Sequence, residues 1–241
     1  MKLLVRTLMA GALGIIGCRG ETRVSGLEKP AFQLTTPLRA GPSFPAGAEA
    51  VATIEAEVTG EDCLQLDELA TAVLYSANMK QVSRGGDASG TCEKPTFSLP
   101  AGAIVREEGT LRTFGLFDGE GAALEAAIPD LAGPRAIVAQ DALMAGQAAV
   151  LRYSPSSDTL ANATLTFSGD DGAEVFKVSG AELSIEAGVL RFTVASELGA
   201  QTGRLKLHVD ATPKVDCGDF ARCTLAAAPL DITIAAEIKA P

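Results

Sequence analysis

Few residues in this chain are equipped for chemistry, and their spacing narrows what they can do. His208 is the single imidazole, and no G-x-S-x-G or S-x-x-K arrangement is present to supply an activated nucleophile. In RLKLHVD, alternation puts Leu205, Leu207 and Val209 on one face and His208 on the other, so His208 is expected to face solvent. Carboxylates pair at Glu61-Asp62, at Asp118 with Glu120, and at Asp170-Asp171, each beside a glycine. Such pairs serve as acid and base in glycoside hydrolysis or bind Ca²⁺. None has the spacing of an EF-hand, and turns recruit Asp for their own hydrogen bonds. The loop reading is therefore preferred, with Asp170 and Asp171 of SGDDG as weak Ca²⁺ candidates. No catalytic residue is assigned, and nothing calls for a cofactor or a resident metal.

The N-terminal stretch MKLLVRTLMAGALGIIGC carries Lys2 and Arg6 ahead of an apolar run from Leu8 to Ile16, the layout of a secretory signal over residues 1–17. Its end, Ile15-Ile16-Gly17-Cys18, resembles the lipobox of bacterial lipoproteins. That resemblance implies cleavage before Cys18, a lipid on Cys18 and a membrane as partner. In that family an Asp directly after the Cys favours retention in the inner membrane. Arg19 stands there in this chain, which implies export to the outer membrane. Residues 18–30 then read as a lipidated Cys and a short polar tether.

Five cysteines are an odd number, and Cys18 as lipid site accounts for the odd one. Three pairings of the other four are formally open. If each bond lies within its own domain, only Cys63 with Cys92 and Cys217 with Cys223 fits, in an oxidising compartment. Zinc is disfavoured because the spacings are not C-x-x-C. The ring CGDFARC sets Phe220 between Asp219 and Arg222. It is either a staple for a strand connection or a preorganised recognition loop, and Asp219, Phe220 and Arg222 are its candidate interaction residues.

Charge and composition exclude several partners. The net charge is −10, and losing Lys2 and Arg6 with the signal takes it to −12. Such a chain repels phosphate backbones and anionic lipid, so nucleic acid is excluded and attachment falls to Cys18. Trp is absent and the tyrosines are Tyr75 and Tyr153 alone, which weakens sugar or base stacking unless those two are exposed.

The elements that must position these residues are strands. Phe32, Leu34 and Thr36 share a face, as do Ala50, Ala52 and Ile54. Thr96 to Leu99 and Leu111 to Phe117 are further strands. Residues 62–79 are readable as helix or strand, with strand preferred for Leu69 to Tyr75. Ser83 to Gly90 is expected as a mobile loop, and Gly119 to Pro134 as a boundary. A second series, at intervals of about ten residues, covers 137–139, 148–153, 163–167, 174–178, 181–185, 189–194, 204–209 and 232–238. Ala46-Gly47-Ala48-Glu49-Ala50-Val51 recurs as Ala145-Gly146-Gln147-Ala148-Ala149-Val150. This looks like the opening of bacterial immunoglobulin-like modules, repeated. The fold class expected is all-β, with two tandem immunoglobulin-like antiparallel β-sandwich domains at 31–129 and 135–241. The expected role is a non-catalytic interaction, adhesion or structural module with a protein partner. The alternatives are a hydrolase using loop carboxylates, or a carbohydrate- or Ca²⁺-binding lipoprotein.

Overall fold

The structure, a computed structural model, describes residues 20–40, 44, 46–58, 62–104, 112–131, 133–139 and 141–240. The signal segment and Cys18 lie outside the described residues, as does Glu61. Residues 28–127 supply β1 (Glu28–Thr36), β2 (Glu49–Glu57), β3 (Thr71–Leu74), β4 (Ala77–Ser83), β5 (Gly86–Ala88), β6 (Thr91–Glu93), β7 (Thr96–Pro100), β8 (Thr113–Phe117) and β9 (Ala123–Ala127). Residues 136–239 supply β10 (Ala136–Ala139), β11 (Leu143–Met144), β12 (Ala148–Ser154), β13 (Thr159–Gly169), β14 (Glu174–Ser179), β15 (Ser184–Glu186), β16 (Val189–Thr193), β17 (Gln201–Thr212), β18 (Arg222–Ala227) and β19 (Leu230–Lys239).

The second sandwich has one sheet in the order β10-β12-β16-β15 and another in the order β11-β19-β17-β13-β14. Lettered along the chain these are A-B-E-D and A′-G-F-C-C′, the immunoglobulin-like arrangement. The short A′ strand β11 runs parallel to the final strand β19. Period-two patterning made this half legible: Leu205, Leu207 and Val209 are fully buried while His208 is exposed.

The first sandwich is one curled sheet, β18-β1-β2-β7-β4-β3-β8-β9. Its corner is β4. Ala77 to Met79 pair with β3, whereas Lys80 to Ser83 pair with β7, so β4 crosses from one layer to the other. The layers meet face to face where the Phe32 ring of β1 lies 4.5 Å from that of Phe114 on β8. The residue 62–79 ambiguity resolves to β3 and the start of β4, joined by a tight turn with Tyr75 and Ser76 both at positive φ, the geometry of a two-residue hairpin. Gly47 and Gly146 of the internal repeat both have φ near +74° (74° and 73°) and open β2 and β12 in the same way.

Three expectations are corrected. Ser83 to Gly90 is not a mobile loop: it forms the end of β4 and β5, which pairs with β6 to make a hairpin, Asp87 opposite Cys92. Gly119 to Pro134 is not merely a boundary, because it contains β9 and then a buried segment in which Ile128 and Leu131 are 4% and 0% exposed. Residues 22–30, expected as part of a tether, are packed on the first sandwich. Thr22 already bridges Leu66, and Val24 is buried against the first sandwich. Apolar Val24 and Leu27 draw the polar stretch down onto the core.

Candidate functional site

The Cys217–Cys223 ring lies in the segment that joins the two sandwiches. β17 ends at Thr212 and β19 starts at Leu230. The chain between them leaves the second sandwich and closes onto the first. β18 runs parallel to β1 in register from Ala31 opposite Arg222 to Thr36 opposite Ala227. On the other flank Asp216 bridges Ala127 of β9. The Asp219 N–H donates to the Glu125 carbonyl at 2.9 Å, and the Asp219 carboxylate accepts from the Glu125 N–H at 3.0 Å. This segment, here termed the clasp, thus grips both outer strands of the first sandwich.

Local geometry explains two of its residues. Gly218 has φ +52°, and a Cβ there would fall 2.1 Å from the Glu125 carbonyl oxygen, so only glycine permits the approach. Cys217 and Cys223 are disulfide-bonded with Cα atoms 5.4 Å apart, which holds the turn that carries Phe220. The Phe220 N–H donates to the Cys217 carbonyl within that ring.

Phe220 favours the staple over the recognition loop as the reading of the ring. It is 4% exposed, packed edge-on to Phe32 with centroids 4.8 Å apart and tilted against Phe114 at 5.8 Å. An aromatic ring between two charges gains more by filling an unfilled aromatic core than by facing water. Of its neighbours, Asp219 is spent on the β9 backbone, and Arg222 is exposed, 3.6 Å from Glu55.

A second set of contacts holds the chain between the sandwiches. The Tyr75 hydroxyl donates to the Pro129 carbonyl and accepts from the Leu131 N–H at 2.6 Å. Burial pushes the Tyr75 hydroxyl well above its ordinary pKa. Arg135 is buried. Its Nε donates to Asp158 at 3.1 Å, its Nη1 donates to the carbonyls of Asp130 and Gly133, and its backbone N–H donates to the Arg39 carbonyl. Burial raises the Asp158 carboxyl above its ordinary range, and the attraction of Arg135 only partly offsets it. The Tyr153 hydroxyl lies 3.5 Å from the same carboxylate, and its pKa is likewise raised by burial. Both tyrosines are therefore inside the molecule, 2% and 3% exposed, and neither forms a stacking platform.

The remaining sequence candidates lie apart from this joint. Cys63 and Cys92 are bonded, with Cα atoms 5.2 Å apart, and tie the β5–β6 hairpin to the chain before β3. Asp171 accepts from the Ala173 N–H at 3.0 Å and closes its own turn, whereas Asp170 accepts from the Thr202 hydroxyl at 2.6 Å and ties that turn to β17. Among the described residues no three His, Cys, Asp or Glu side chains are grouped to hold a metal ion. Asp118 accepts from the N–H groups of Glu120 and Ala122 in the β8–β9 turn and from Ser25, while Glu120 pairs with Arg23. His208 contacts Asp231 at 2.9 Å on an open sheet face, and Asp231 is held below its ordinary pKa by His208 and Lys206.

Sequence reasoning missed β9, β18 and the buried Arg135–Asp158 pair. The available signal was faint. GAALEAAI alternates only in alanines and one leucine, and the clasp strand reads RCTLAA, with neither a β-branched run nor a strong period.

No family model matches the chain, and no curated protein matches it. Among solved structures, a chimeric titin Z1Z2 functionalised with a KLER exogenous peptide from decorin is 12% identical over 89% of this chain and 98% of its own, with a TM-score of 0.22. A chimeric titin Z1Z2-Z1Z2 tandem functionalised with a GRGDS exogenous peptide from fibronectin is 12% identical over 88% and 99%, with a TM-score of 0.19. At these scores the superposition carries no weight, and the immunoglobulin-like assignment rests on strand order.

Proposed function

We propose that this chain is a lipid-anchored bacterial envelope protein, held at the outer membrane through Cys18. Its two immunoglobulin-like modules, 31–129 and 135–241, act together as a non-catalytic interaction, adhesion or structural element with a protein partner. The observation that carries this reading is the joint. The clasp strand, the Phe220 plug, the Tyr75 contacts and the buried Arg135–Asp158 pair hold the modules together from both sides of the connecting segment. A pair fixed in this way presents its outer sheet faces in one constant arrangement. The acids and the histidine that would serve a hydrolase are spread over separate turns and an open face, engaged in local bonds.

The short tether adds a distance. Since Thr22 already bridges Leu66, only the links from Cys18 to Thr22 separate the lipid from the fold, about 14 Å when fully extended. The first module is then held close against the bilayer. A chain at −12 is repelled overall by anionic lipid, which leaves the attachment to the lipid on Cys18.

Cell fractionation tests the anchor. Cys18→Ala should move the protein from the membrane to the soluble fraction, and retention after signal cleavage would overturn it. Crosslinking from envelopes with the lipidated protein should capture the same specific partner repeatedly. Capture of none would count against the interaction reading.

A further inference from the structure

The clasp belongs to the second sandwich by sequence, yet the second sandwich does not need it. β17 and β19, which flank it, pair with each other over a continuous register from Gln201 opposite Ile238 to Val209 opposite Leu230. The first sandwich does need it, for Phe220 completes the Phe32–Phe114 cluster and β18 covers the edge of β1. The groove between β1 and β9 is therefore an acceptor, and residues 216–227 are its ligand, already bound. The ring closed by Cys217 and Cys223 holds that ligand in shape before it docks, which reduces the ordering cost of binding.

We propose that this groove takes the same segment from a second copy of the chain. The product is an exchanged dimer in which Phe220 of each copy lies between Phe32 and Phe114 of the other. Every contact in the exchanged form is one the single chain already makes, so exchange is opposed only by association entropy and by whatever fixes the connection between the sandwiches. That connection is visible. Tyr75 holds Pro129 and Leu131, and Arg135 holds Asp130 and Gly133. These contacts fold the segment back so that clasp and groove of one chain meet. Loosening them favours exchange. The inference does not depend on lipid anchoring and stands or falls separately from it.

The test uses the whole mature chain with Phe220 kept and exposed Thr224 of β18, opposite Gln33 of β1, replaced by the photoreactive p-benzoylphenylalanine, prepared in isotopically light and heavy forms and mixed. Size-exclusion chromatography with light scattering, from low to high micromolar concentration, should show a dimer that grows with concentration. Tyr75→Phe should raise its association constant about tenfold, because two buried backbone groups of the connecting segment lose their partner. After irradiation the dimer should yield light–heavy cross-links from position 224 to the peptide holding Gln33. A chain monomeric at every concentration in both forms overturns the proposal, and so does a dimer whose cross-links from position 224 are all within one copy. Should circular dichroism show that Tyr75→Phe does not fold, the unsubstituted connecting segment is loosened instead with urea just below the unfolding midpoint, then returned to buffer at high concentration. The same cross-links decide.

Discussion

Asp118 shows how a carboxylate that reads as a catalytic candidate is used for architecture. Burial alone would raise it, but N–H donors from Ala122, Glu120 and Ser25 together hold it below its ordinary pKa. Folding therefore favours the ionised form. Its contribution to stability is present above the unfolded value near 4 and is lost as pH falls through the lower folded value. Asp118→Ala should lower the melting temperature at neutral pH, and the gap to the parent should close as the pH approaches 2. A gap of constant size across that range would assign the loss to something other than the carboxylate. Turn chemistry of this kind was legible beforehand, since Gly flanks each acidic pair. The fate of Phe220 was not. Whether an aromatic in a small ring faces water or another core depends on a groove made by β1 and β8, far away in sequence.

Among the elements, strands with β-branched or large apolar residues at every second position were found within a few residues of their observed limits. The Leu190-Phe192-Val194 and Leu205-Leu207-Val209 series are the clearest, and all six residues are buried. β9 and β18 escaped because alanine gives little contrast between faces, so their strand character comes from pairing partners rather than from their own sequence. β18 owes its place to two neighbours: the parallel register with β1 and the plug beside it. Phe220→Ala should destabilise the first sandwich by about 3–5 kcal/mol. Chemical denaturation followed by a probe in that sandwich reads the change directly. If the variant instead unfolds like the parent, the plug is not part of the core.

At the scale of the whole molecule, the division into two repeating halves is visible in the sequence through the Gly47 and Gly146 turns, but the coupling between halves is not. It resides in the clasp with its Phe220 plug, a buried ion pair and a hydroxyl, which leave no periodic trace. Arg135→Met leaves Asp158 enclosed without its cation and should cost about 3–5 kcal/mol at neutral pH. The deficit should shrink in acid, because a carboxyl raised by burial is tolerated once protonated, whereas stability is lost as pH rises through its folded value. Replacing the whole cluster, Arg135→Met with Asp158→Leu and Tyr153→Phe, should restore much of the stability, since no buried charge is then left and only the Asp130 and Gly133 carbonyls lose a donor. Urea midpoints for the single and triple variants between pH 4 and 8 distinguish these outcomes. A triple variant as weak as the single one would mean that the pair is needed for more than its own neutralisation.

The clasp also sets an order in time. A chain is made from its N-terminus, and domains generally fold as they emerge. The first sandwich is made first, but the residue that fills its aromatic gap is number 220, and the strand that covers β1 ends at Ala227. Until then the first-made half waits with Phe32 and Phe114 uncovered, and it is sealed only when a segment inside the second half's sequence appears. Any product cut short before the clasp therefore carries an open aromatic groove, a mark by which a chaperone or protease can tell an unfinished molecule from a finished one.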